Sequence, residues 1–91
     1  MIHVLKSTYL QSPDVVAQTR PAHLEFLAEE IAAGRLLLAG RQEDGSGGVL
    51  VTADIDVEEA DDMVARDPYT AAGAANYERT SFNTAVRAPG L

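Results

Sequence analysis

A glycine-rich interruption between two aliphatic runs constrains the fold of this chain more than any other feature. Leu36-Leu37-Leu38-Ala39-Gly40 and Val49-Leu50-Val51-Thr52-Ala53 flank Glu43-Asp44-Gly45-Ser46-Gly47-Gly48. Each run is too short for a helix, and the segment between them supplies glycines for positive φ. Residues 35–53 therefore read as an antiparallel hairpin, with 35–42 a buried strand.

The flanking segments complete a pattern. Residues 2–10, rich in β-branched and aromatic types, read as a strand ended by Ser12-Pro13-Asp14. Residues 14–19 read as one or two helical turns. Pro21 has no N–H and fixes φ, so it is expected at the start of a helix. Leu24, Leu27, Ala28 and Ile31 then give that helix one apolar face, and Gly34 stops it. After the hairpin, Asp54 or Asp56 caps a second helix with Val57, Ala60 and Val64 as its stripe, and Asp67-Pro68 ends it. Pro68 to Gly73 reads as a short extra turn. Asn76 to Arg87 alternates, with Thr80, Phe82, Thr84 and Val86 on one face, and reads as the last strand. Residues 88–91 form a loose or partner-clasping tail. The order β-α-β-β-α-β is an α+β, ferredoxin-like arrangement. At 91 residues it is a single domain spanning 1–91, too short for two cores. Two helices cover one face of such a sheet, and the apolar strand residues exceed what that face can hide. A second copy packed sheet to sheet, a homodimer, is the expectation.

Composition narrows the function. The net charge of −7 disfavours nucleic acid and anionic membrane as partners. With no cysteine there is no disulfide, thiolate catalysis or cysteine-ligated metal. Leu36–Ala39 is the longest aliphatic run, far short of a membrane span. The first residues have no basic region followed by a long apolar one, so a cytoplasmic protein acting on a small molecule is expected.

Few residues carry obvious chemistry. His3 reads as a partly exposed strand residue. His23, in the first turn after Pro21, stands where a helix's partial positive charge favours a neutral imidazole, which suits a general base. Its plainer reading, a histidine hydrogen-bonded at a helix start, outweighs this on the residues alone. Asp67, before Pro68, is a good cap for the turn that follows; its other reading is a carboxylate that orients His23. Asp54 to Asp67 holds seven of the fourteen carboxylates but matches no calcium loop, and reads as a solvated helix face. Gly45–Gly48 lacks the ending of a phosphate loop, and no serine has a nucleophile signature.

Three blocks in order resemble the YciI-like (YCII-related) proteins: Arg20-Pro21-Ala22-His23-Leu24, Gly34-Arg35-Leu36-Leu37-Leu38-Ala39-Gly40 and Asp67-Pro68-Tyr69-Thr70-Ala71-Ala72-Gly73. The resemblance covers nearly the whole chain. It implies a dimeric α+β barrel of ferredoxin-like subunits with a site built from the motif histidine and aspartate, here His23 and Asp67. Arg20, Gly40 and Tyr69 of the same blocks are the implied substrate-binding residues, with no metal and no cofactor. The best-described members are dehydrochlorinases acting on chlorinated hydroxyhydroquinones. The implied function is thus a cofactor-independent acid–base enzyme, a lyase or isomerase, using a His–Asp pair on a small ring or enol. The alternative is a non-catalytic dimeric ligand-binding or accessory module. An oxygenase of the same barrel type fits less well with only five aromatics and no tryptophan. Two departures stand out. Arg41 follows Gly40 where members often have proline, and Thr84-Ala85 replaces a frequent Pro-Phe. If His23 and Asp67 work together, they lie about 2.6–3.2 Å or one water apart.

Overall fold

Alternation decides the first strand. In the computed structural model, which describes all 91 residues, β1 runs Ile2–Tyr9. His3, Leu5 and Ser7 are buried beneath the helices, while Lys6 and Thr8 face the other way and are exposed. The hairpin forms as expected, from β2 (Leu36–Arg41) and β3 (Gly48–Thr52), and the last strand is β4 (Ala75–Phe82). The sheet order is β2-β3-β1-β4 with every pair antiparallel. The β2–β3 turn lies against the backbone of β1: a Cβ at Gly47 would sit 1.8 Å from the Ser7 carbonyl oxygen. Gln42 Nε2 donates to that carbonyl, and the Gly48 amide donates to Ser7 Oγ.

Helix α1 spans Pro13–Ala32, with α2 at Val57–Arg66 and the short α3 at Pro68–Ala71. α1 corrects the reading of Pro21. The chain is one continuous helix capped by Ser12, with Pro13 in its first turn and Pro21 well inside. The inward residues explain why. Val16, His23, Phe26, Leu27 and Glu30 are buried on one stripe that runs straight across Pro21. Burying both ends of that stripe outweighs the roughly 3 kcal/mol that an interior proline costs. Gly34, at φ +78°, ends the helix as expected. For α2 the cap is Asp56, whose side chain accepts from the Glu59 amide at 2.7 Å. Ala60 and Met63 are its buried residues, whereas Val57 and Val64 are only partly covered.

Three further expectations change. β2 is not a buried strand: Leu36 is buried, but a bulge follows it and Leu37 and Leu38 are 44% and 57% exposed. β2 is the sheet edge, and Leu38 lies on the uncovered face beside Val51. β4 ends at Phe82 because β1, its only neighbour, begins at Ile2, the partner of Phe82. Residues 83–91 are outside the sheet, so the alternation through Val86 has no strand to support. His3 is fully buried rather than partly exposed. Its Nε2–H donates to the Ile55 carbonyl at 2.8 Å, and its Nδ1 accepts from the Ser81 hydroxyl at 2.7 Å.

Two apolar clusters lie between helices and sheet. Leu5, Phe26, Leu27, Leu36, Leu50 and Met63 form the larger; Val16, Tyr69, Ala74 and Ala75 form the smaller. A cavity opens between them. No helix is long and apolar enough to cross a membrane.

Candidate active site

His23 and Asp67 meet. His23 Nδ1 lies 2.8 Å from Asp67 Oδ1, inside the range a working pair requires. The elements that bring them together differ from those expected. His23 projects from the middle of α1, so no helix N-terminus acts on it. Asp67 occupies the junction between α2 and α3 in an extended conformation, closing one helix and capping the next. The α1–α3 contact carries the imidazole onto that junction.

Asp67 is fully buried, yet each of its carboxylate oxygens has a donor. Oδ1 accepts from the Tyr69 amide at 2.9 Å as well as from His23. Oδ2 accepts from the Tyr77 hydroxyl at 2.5 Å. Capping and orienting are therefore one role performed by the same oxygen. Burial, together with the adjacent carboxylate, holds the Tyr77 phenol well above the ordinary tyrosine range. Tyr77 stays a donor to Asp67.

A carboxylate can only accept, so His23 Nδ1 carries a proton, and in the neutral imidazole Nε2 holds the lone pair. Nε2 has no hydrogen-bond partner within the chain and is not sealed from the cavity the ring lines. Tyr69 stacks on the imidazole, with ring centroids 3.9 Å apart and planes at 16°, and Tyr9 meets Tyr69 edge-on at 5.9 Å. The ring is thus fixed by a hydrogen bond at one atom and by packing on one face.

The cavity is about 210 Å³. Arg20, His23, Gly40 and Tyr69 all line it; Asp67 does not, standing behind His23. Leu24, Leu27, Ala39 and Leu50 give it an apolar wall. Arg20 does not reach Asp67; its Nε points to the Tyr69 hydroxyl at 3.5 Å. Thr84 and Ala85 lie away from the cavity, so their departure from the family pattern does not alter its lining.

Tyr9, Tyr77 and Arg41 also line the cavity and were not among the expected site residues, Arg41 standing out only as a departure from the family pattern. A signal for Tyr77 was available. A buried tyrosine needs a partner for its hydroxyl, although by parity Tyr77 falls with Arg79 and Ser81 on the polar side of the last strand. Nothing in the spacing marked Tyr9 or Arg41. The acidic stretch from Asp54 to Asp67 forms no cluster of metal-ligating side chains. Asp54 and Asp62 instead pair with Arg87 and Arg66.

The family model described as the YCII-related domain matches residues 1–83. Among solved structures, 5-chloro-2-hydroxyhydroquinone dehydrochlorinase (TftG) from Burkholderia phenoliruptrix AC1100, in complex with 2,5-dihydroxybenzoquinone, superposes with a TM-score of 0.73. The match covers 91% of this chain and 94% of that one at 18% identity, and it shows a shared fold. No curated protein matches the chain.

Proposed function

As the chain belongs to the YCII-related family, we propose that its His23–Asp67 pair is the acid–base group of a lyase or isomerase acting on a small ring or enol, with no cofactor. The observation that carries the reading is the state of one imidazole. Its Nδ1–H is pinned by a buried carboxylate, and its Nε2 is left without a partner beside an apolar cavity. A cavity of about 150 Å³ accommodates benzene, so this one suits a single substituted ring.

The chemistry follows from that arrangement. Nε2 removes a proton from a ring hydroxyl or from carbon, and Asp67 stabilises the imidazolium that forms. In a dehydrochlorination, the electron pair released by the proton becomes a new double bond. Chloride leaves with the pair of the C–Cl bond, and the imidazolium returns its proton to solvent. In an isomerisation the same proton goes back at a different atom. The dehydrochlorinase that shares this fold makes elimination the first reaction to assay.

The test is chloride release from 5-chloro-2-hydroxyhydroquinone, followed by a panel of chlorinated and hydroxylated aromatics. The His23→Ala variant is expected to lower turnover per folded molecule by about 10²–10⁴-fold. Asp67→Asn also impairs turnover, because an amide can turn its NH₂ toward Nδ1 and impose the wrong tautomer. Ligand binding with no turnover, unchanged by His23→Ala, would replace this reading with that of a non-catalytic binding module.

The assembly is part of the proposal. Val4, Leu38, Val49 and Val51 lie on the sheet face that no helix covers, with Leu38 more than half exposed. A second copy against that face buries them, and light scattering is expected to give twice the chain mass.

A further inference from the structure

Arginines are distributed unevenly in this acidic protein. Arg35 and Arg66 share Glu30, Arg79 pairs with Asp61, and Arg87 pairs with Asp54. Arg20 and Arg41 pair with no carboxylate, although the chain holds fourteen. Both stand in one place. They line the cavity beside His23, and together with Tyr9 they also line a second, wider groove that adjoins it. They therefore occupy the boundary between the two spaces.

Arg20 reaches that boundary from α1 and Arg41 from the end of β2. No acidic residue lines the inner cavity. Asp14 lines the outer groove, but it lies six residues from Arg20 along α1, about 9 Å by helix rise. Two guanidinium groups at the mouth of an apolar cavity, uncompensated in a chain of net charge −7, form a local positive field that selects anions. A planar guanidinium matches a carboxylate through two parallel hydrogen bonds. The size of the inner cavity limits it to one ring, so a charged substituent on that ring would project toward the groove.

We infer that the pocket takes a ring or enol ligand bearing a carboxylate, and that Arg41 acts with Arg20 as the specificity-determining clamp on that group. This rests on the cavity being the ligand site proposed above, but not on His23 acting as a base. A carboxylate held at the mouth positions the ring with its far side toward Nε2 and gives the substrate a fixed orientation.

The test is calorimetric titration of the whole protein with two probes, 2,5-dihydroxybenzoate and 1,4-dihydroxybenzene, which differ in one carboxylate. The wild-type protein is expected to bind the carboxylate about tenfold or more tightly, with a preference that shrinks as salt is raised. Arg41→Gln removes most of that preference. Arg87→Gln, which alters the net charge equally but away from the cavity, retains it. Equal binding of the two probes by the wild type overturns the inference. So does a preference that survives Arg41→Gln, and so does failure of the carboxylate to bind at millimolar concentration. The readout is binding, so loss of turnover in His23→Ala with the preference intact supports the clamp. A preference lost in Arg41→Gln with no turnover in any variant leaves the clamp standing and removes the catalytic reading.

Discussion

The two long helices lie on the same face of the sheet yet divide their residues in opposite ways. α2 turns Ala60 and Met63 inward and leaves Glu58, Glu59, Asp61 and Asp62 in water. α1 turns His23 and Glu30 inward with Phe26 and Leu27, and leaves Leu24 and Ile31 about half exposed. One helix buries only hydrocarbon and keeps its ion-pairing side chains at the surface. The other carries a site and a buried ion pair on the stripe that should have been its core. The lesson is that polar side chains on an inward stripe persist only where each has a partner. His23 has Asp67, and Glu30 has Arg35 and Arg66, at 2.5 and 2.6 Å.

The contrast can be broken from the α2 side with the largest effect. Met63 is fully buried in the main cluster, so Met63→Ala is expected to destabilise the protein by about 2–5 kcal/mol. Denaturant unfolding measures the loss; turnover per folded molecule should remain. His23→Ala is expected instead to lower turnover per folded molecule.

A smaller effect sharpens the polar side of the contrast. Glu30→Ala leaves two half-exposed arginines that water can reach, and an expected loss of about 1–3 kcal/mol. The contribution also depends on pH. Burial alone would push the Glu30 carboxyl up, but hydrogen bonds from Arg35 and Arg66 outweigh it and hold the group below the ordinary glutamate range. A group whose folded-state pKa is depressed binds more protons when unfolded. Its stabilisation is therefore present above the unfolded value of about 4.3 and fades as pH falls below it. The stability gap between wild type and Glu30→Gln should be constant from about pH 7 to about pH 5 and shrink toward about pH 3. A gap that does not change over that range would remove the ion pair from the account.

The smallest effect concerns Pro21, which is exposed on the outer side of α1. Pro21→Ala restores an N–H to the helix ladder at the expense of a more flexible unfolded chain. A net gain of about 1 kcal/mol is expected.

The same contrast explains what could be read in the sequence. The hairpin and the Gly34 stop rest on local backbone chemistry and were legible, and the same chemistry narrows the cap of α2 to Asp54 or Asp56, of which the structure uses Asp56. α2 was legible in type and end because its acidic first turn and Asp67-Pro68 boundary agree. α1 was cut at Pro21 because a proline is expected at a helix start, and the polar Arg20, His23 and Glu30 hide the periodicity shared by Val16 and Leu27 that would have argued against the cut. The nearness of His23 to Asp67 was expected, but from a helix start that does not exist. What joins them is packing of α1 on α3, a tertiary contact with no local signature. The short reach of β4 was likewise set by its neighbour and not by its own alternation.

Asp67 Oδ1 serves the Tyr69 amide and His23 Nδ1 together. That shared oxygen ties a slow clock to a fast one. The amide hydrogen of Tyr69 exchanges with solvent only when the turn at 67–69 opens, and any such opening also releases the imidazole from its partner. Each opening of this one corner therefore also removes the hydrogen bond that orients His23, leaving the stacking on Tyr69 as the remaining restraint on the ring.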